Sequence, residues 1–221
     1  MSESRPLRFG YLAGAAALLA VALLPPLSTL AHGILFSAHM LQHLLLLLGV
    51  PAFALLGFPP TSARRSISPV LGWAAGAAGM WVWHVPLFCN AAVRSAGIQS
   101  LQTVSLLGFG ALFWWPLIGA GSERRLAPLA GVTYLFAGCV SCTLQGILLT
   151  FSPVEICSAF LNPADPGPVL PWLSSHWGFT PAADQQIGGL IMWVPACLVY
   201  LGAIMAQFVR WYGSAGARAL S

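Results

Sequence analysis

The sequence predicts an all-α protein, a polytopic bundle of about six membrane-spanning helices with its N-terminus in the cytoplasm. Three observations carry this prediction. Hydrophobic residues make up 58% of the 221 residues and charged residues only 6%, with a mean hydropathy of +0.82, a balance typical of integral membrane proteins. The apolar residues fall in runs long enough to cross the roughly 30 Å hydrocarbon core of a bilayer. All nine basic residues are arginines, and they cluster in alternate connections between the runs, as retention of positive charge on the cytoplasmic side requires. The formal charge of +4 therefore reads as a topology signal and not as a nucleic-acid surface, and lipid is the expected surrounding.

The first run, about residues 9–31, follows Arg5 and Arg8 as the apolar part of a signal peptide would. No small-residue cleavage site leads into a soluble domain, so it reads as a retained helix, kinked near its far end by Pro25-Pro26. The second run, about residues 33–57, carries Ser37-Ala38-His39-Met40-Leu41-Gln42-His43 near its start and Pro51 later, and closes on the turn signal Gly57-Phe58-Pro59-Pro60. The third, about residues 69–93, opens with small residues at 74–79 that permit close helix approach. It then reaches Trp83-His84-Val85-Pro86, which places His84 beside a helix break. The fourth, about residues 97–120, ends at Phe113-Trp114-Trp115-Pro116, and the fifth, about residues 126–151, contains Cys139, Cys142 and Gln145. The connection 152–183 is rich in proline and carries Glu155, Asp165, Trp172, His176 and Trp177 without a basic residue; a loop this long is more often functional than idle. A seventh or re-entrant segment has room only there, against its prolines and polar groups. The sixth run, about residues 184–207, opens at Asp184. With the N-terminus inside, Arg5, Arg8, Arg64, Arg65, Arg124, Arg125, Arg210 and Arg218 face the cytoplasm and only Arg94 lies outside. Both termini are then cytoplasmic, and residues 1–221 read as one integral membrane domain.

The potential ligands gather on one side of this topology. His39 and His43, four apart, share one helix face and lie roughly 9 and 15 Å below the start of the second helix at 1.5 Å per residue. His32 ends the first helix, His84 sits in the outer half of the third, and His176 lies in the outer loop, so all five histidines fall outside the membrane midplane. Polar groups in a bilayer are costly, and histidines there point to a metal, a haem or a proton path; the competing reading is hydrogen bonding between helices. Imidazole with thioether or thiolate suits copper, reduced copper above all. His39, His43 and His84 are the principal candidate metal ligands. Met40, Cys142 and Met192 add soft sulfur, with core packing as the competing reading for each. His32 and His176 serve either as surface groups or in metal capture. Asp184 either caps its own helix or orients a ligating histidine.

The pattern H-E-x-x-H of zinc proteases needs a glutamate after its first histidine, and that position is Met40. No glutamate lies in any apolar run, no phosphate-binding glycine loop appears, and catalysis is not indicated. The five cysteines are odd in number and mostly sit in apolar runs, which favours buried thiols or soft metal ligands over a disulfide framework. Cys89 near a helix end and Cys157 in the long loop can pair or remain thiols; the sequence carries both readings.

Taken in order, Ser37-Ala38-His39-Met40-Leu41-Gln42-His43, Trp83-His84-Val85-Pro86, Phe113-Trp114-Trp115-Pro116 and the run from Asp184-Gln185-Gln186 to Met192-Trp193-Val194-Pro195 resemble the CtaG family of cytochrome c oxidase assembly factors, the caa3-type group. The resemblance implies a polytopic protein of the bacterial cytoplasmic membrane that helps to make active haem-copper oxidase, with oxidase subunits as partners and copper as the metal handled. Two features depart from the family pattern. Residues 98–103, Ile-Gln-Ser-Leu-Gln-Thr, hold no histidine where members often have one, and six spans are counted where members often show seven. Those departures leave room for a structural subunit of an oxidase complex without metal transfer. A third reading is a b-type haem electron carrier with His43 and His84 as axial ligands.

Overall fold

The computed structural model describes residues 5–58, 67–119, 121, 125–163 and 165–219, with side chains from residue 8 to residue 213. Pro59, Pro60, Arg64, Arg65, Ala120 and Arg124, and the side chains of Arg5 and Arg218, lie outside the described residues. Among the described residues every regular element is helical. In chain order these are α1 (Arg5–Leu23), α2 (Leu27–Ala31), α3 (Phe36–Gly57), α4 (Pro69–Trp83), α5 (Pro86–Arg94), α6 (Ala96–Gly119), α7 (Pro128–Phe151), α8 (Val169–Trp177) and α9 (Pro181–Ala219).

Among the described residues four helices are long and apolar enough to cross a membrane: α3, α6, α7 and the part of α9 from Pro181 to Gly213. The other two expected crossings are each broken in two. Pro25-Pro26 separates α1 from α2, and Pro86, which cannot donate to the turn before it, separates α4 from α5 and leaves His84 and Val85 outside both helices. The expected sixth crossing starts earlier and runs further, because Thr180 supplies an N-terminal cap through its side-chain oxygen to the Ala183 N–H at 3.2 Å and Pro195 does not end the helix. Among its described residues the long connection holds the short helix α8 and a 3₁₀ turn at Ser158–Phe160, and no helix long enough to cross a membrane.

Helix α3 is the axis of the bundle. Its first half packs against α9, and its second half against α1 and α6. Pro51 brings no N–H to the turn before it, and the helix widens into a π-helical turn over Leu45–Gly49; there the Trp114 indole N–H donates to the Leu48 carbonyl at 3.1 Å. The small residues of α4 do what their size predicts: a Cβ on Gly76 or Gly79 would collide with Phe113 or Phe109 of α6. Helices α7 and α9 approach as closely, since a Cβ on Gly146 would meet the Gly189 carbonyl at 3.0 Å.

One end of this bundle is built by contacts between distant segments. There the start of α9 meets the start of α3, the end of α4 meets the start of α6, and the connection 152–163 folds across the opening. A disulfide between Cys89 and Cys157, Cα atoms 5.9 Å apart, ties α5 to that connection. Asn90 continues the clamp, its Oδ1 accepting the Ala159 N–H at 2.7 Å and the Ser158 hydroxyl at 3.1 Å. Gln185 holds the other flank, accepting from the Ile156 N–H and donating to the Val154 carbonyl.

Candidate metal centre

Just inside that end, His39, His43 and His84 are brought together. The rings of His39 and His43 lie 4.3 Å apart between centroids, as neighbours four residues apart on α3. His84, from the break between α4 and α5, meets His43 edge-on at 5.3 Å. All three are buried, at 1%, 2% and 8% exposure, and Met40 beside them is fully buried.

Hydrogen bonds fix two of the three rings. His39 Nδ1 lies 3.2 Å from the Ala31 carbonyl and His84 Nδ1 lies 2.6 Å from the Met80 carbonyl. A carbonyl only accepts, so both Nδ1 atoms carry the proton and both Nε2 atoms keep a lone pair. The Nε2 of His84 faces the Met40 sulfur at 3.1 Å, the Nε2 of His39 has no hydrogen-bond partner, and the ring of His43 has the Gln102 amide beside it but no well-aligned hydrogen bond. Buried polar atoms without partners are costly and call for an explanation. Here three imidazoles and a thioether present unshared lone pairs in one apolar region, a donor set matched to copper(I). The rings are neighbours, but among the described residues no three His, Cys, Asp or Glu side chains converge as a ready metal cage.

Asp184 is placed differently from the expectation that it caps its own helix. Its carboxylate accepts the backbone N–H of Phe36, and that of Ser37 at 3.0 Å, so it caps α3, the helix that carries both histidines. Two of the N–H groups left open at a helix start are satisfied there, and the negative charge sits at the positive end of the helix dipole. Asp184 therefore sets the position of His39 and His43 through the backbone and touches neither ring.

The remaining candidates are dispersed. The Cys142 thiol donates to the Met192 carbonyl at 2.9 Å, and both side chains are buried in the main core. His32 is exposed and accepts from the Gln99 amide at 2.7 Å. It lines a cleft of about 850 Å³ together with Gly33, Arg94, Ser158, Asn162 and Asp165. His176 is exposed on α8, stacked on Trp172 and donating to that residue's carbonyl at 3.0 Å, and takes no part in the cluster.

Three further residues shape the site. Phe160, in the 3₁₀ turn, packs its ring 5.5 Å from His39 and 5.6 Å from Phe36, and the adjacent Ser158 and Ala159 wall the cleft. Gln145 of α7 donates to the Met80 carbonyl at 3.2 Å, the same oxygen that orients His84. Gln102 of α6 is buried beside His43, its amide nitrogen without a hydrogen-bond partner. The signal for both glutamines was an amide in an apolar run; Phe160 had none.

Among curated proteins, the chain is 29% identical over 210 residues to the uncharacterized protein ML1998 of Mycobacterium leprae, covering 80% of this chain and 30% of that protein. It is 28% identical over 208 residues to the uncharacterized proteins Mb0105 of Mycobacterium bovis and MT0111 of Mycobacterium tuberculosis, again over 80% of this chain and 30% of each. The chain thus spans about 30% of the length of these relatives. No solved structure matches it. Residues 4–214 match the family described as cytochrome c oxidase caa3 assembly factor, and with nearly the whole helical bundle inside that match, the chain belongs to the Caa3_CtaG family.

Proposed function

We propose that this assembly factor binds copper(I) at His39, Met40, His43 and His84 and delivers it to a haem-copper oxidase subunit in the same membrane. The observation that carries this reading is the set of ring nitrogens without a well-aligned hydrogen bond on buried His39 and His43, beside a His84 Nε2 that faces the buried Met40 thioether. Loading turns the rings toward a shared point, which offsets the cost of leaving those nitrogens unsatisfied. Transfer proceeds by ligand exchange between one donor set and the next. No bond of a substrate is made or broken, so the role is not enzymatic.

The orientation belongs to the same proposal. Six crossings, counting α1 with α2 and α4 with α5 as one each, place both termini and the connections that carry Arg64, Arg65, Arg124 and Arg125 in the cytoplasm, with Arg94 alone on the other side. The Cys89–Cys157 pair then lies on the opposite side, where an oxidising compartment sustains disulfides. The cleft at His32 opens on that outer side, and copper reaches His39 past Phe160. The ring contact between His43 and His84 leaves no gap for a porphyrin between them, which favours copper over a bridging haem.

The test is copper content by mass spectrometry on the detergent-purified chain after exposure to copper(I), paired with the copper content of oxidase purified from cells that express each variant. Bound copper lost in His39→Ala, His43→Ala and His84→Ala, with copper-deficient oxidase in the same cells, supports delivery. A chain that binds no copper yet co-purifies with an oxidase of normal copper content supports a structural subunit instead.

A further inference from the structure

The histidine cluster is closed on all sides, so an ion held there has no direct contact with a partner in the membrane. A second group of soft donors lies where such contact exists. Cys139 of α7 and Cys197 of α9 bring their sulfurs to 3.1 Å, and the Thr143 hydroxyl lies 3.3 Å from the Cys197 sulfur. Cys139 is halfway along α7 and Cys197 halfway along the Pro181–Gly213 span, so the pair lies far from both ends of the two helices. Both cysteines are free and partly exposed, whereas Cys142, one turn away on α7, is buried. The side chains flanking the pair, Phe136, Val140 and Leu144 on α7 and Val194, Leu198 and Leu201 on α9, are all exposed and apolar. They form a lipid-facing seam with two thiols set into it.

A diagonal row on α7 leads from the seam back into the bundle toward the histidines. Gln145 shares the Met80 carbonyl with His84, and steps of three residues run from Gln145 through Cys142 to Cys139, roughly 9 Å along the helix axis. We propose that Cys139 and Cys197 form a second site, for a soft monovalent cation, from which the ion leaves sideways through the seam between α7 and α9. Two sulfurs on separate helices select copper(I) over harder cations. On binding, the ion displaces one thiol proton, which passes to solvent. The assembly of one cation, one thiolate and one thiol is neutral, as a low-dielectric surrounding favours. No electron moves. The binding site stands on its own geometry; its role as the exit station rests on the copper-delivery reading above.

The experiment titrates the full chain, detergent-purified and free of thiol reductants, with copper(I) against a chromophoric copper(I) chelator, and reads the ligand shell by X-ray absorption. Wild type is expected to hold two ions, Cys139→Ser and Cys197→Ser one each, and Cys142→Ser two. The His39→Ala/His43→Ala/His84→Ala variant is expected to keep one ion in an all-sulfur shell. The ion retained at the other site in each variant reports that the bundle has folded. If Cys139→Ser and Cys197→Ser bind as many ions as wild type, the pair is only a packing contact and the proposal is wrong. A single wild-type ion that is lost with the cysteines and kept without the histidines sustains this site and defeats the histidine reading. A single ion with the opposite pattern defeats this site alone.

Discussion

Five histidines lie at one end of the bundle, and they divide into two kinds. His32 and His176 are exposed and have partners, Gln99 for the first and the Trp172 ring and carbonyl for the second. His39, His43 and His84 are buried, and between them carry ring nitrogens with no well-aligned hydrogen bond or with only the Met40 sulfur before them. Residue type is the same in both groups and depth differs by a few helical turns. What separates them is the supply of competing donors and acceptors. Water or a neighbouring polar group satisfies an imidazole at the rim, whereas inside the bundle only a bound cation or another side chain can do so.

The sharpest way to break this contrast is to remove a buried ring. His43→Ala, which takes away the ring touching both others, is expected to abolish copper binding at the cluster, measured as ions per chain, while His176→Ala leaves it unchanged. Met40→Leu conserves volume, which keeps the folding cost under about 1.5 kcal/mol. It removes the sulfur that faces His84, and it is expected to weaken copper(I) binding at least about tenfold in a chelator competition, since loss of a ligand costs no less than loss of a group that merely orients one.

Asp184→Ala distinguishes positioning from ligation. Removal of the cap on α3 is expected to cost about 1 kcal/mol, a fall of about 2–4 °C in the thermal midpoint for a chain of this size, with copper still bound at saturation. Loss of copper at full saturation would make Asp184 a ligand. The smallest effect belongs to His32→Ala, which is expected to slow loading from the outer cleft without changing the number of ions bound, as followed by stopped-flow mixing with the copper-loaded chelator.

The helices were legible because each apolar run of about 20 residues has few alternatives in a bilayer. The interruptions were legible as well, since Pro26 and Pro86 each remove a backbone donor at a place where a helix would otherwise continue. Depth along the helices placed all five histidines toward one end. The rotation of one helix against another was not legible, because the sequence period constrains a residue to a face and says nothing of which neighbour that face meets. Asp184 shows the consequence: its own helix start offered an obvious partner, yet Thr180 caps α9 and Asp184 caps α3, 148 positions earlier in the chain. The pairing of Cys139 with Cys197 was hidden for the same reason, and so was Phe160, an aromatic residue in a loop with no pattern to mark it as a neighbour of His39.

The most direct test of the account is X-ray absorption on the copper(I)-loaded Cys139→Ser/Cys197→Ser chain, in which the seam thiols are absent. The expected spectrum shows imidazole nitrogens with one sulfur, and the sulfur contribution disappears when Met40→Leu is added. An absence of bound copper, or a shell without nitrogen, would contradict the assignment of His39, Met40, His43 and His84 as the site.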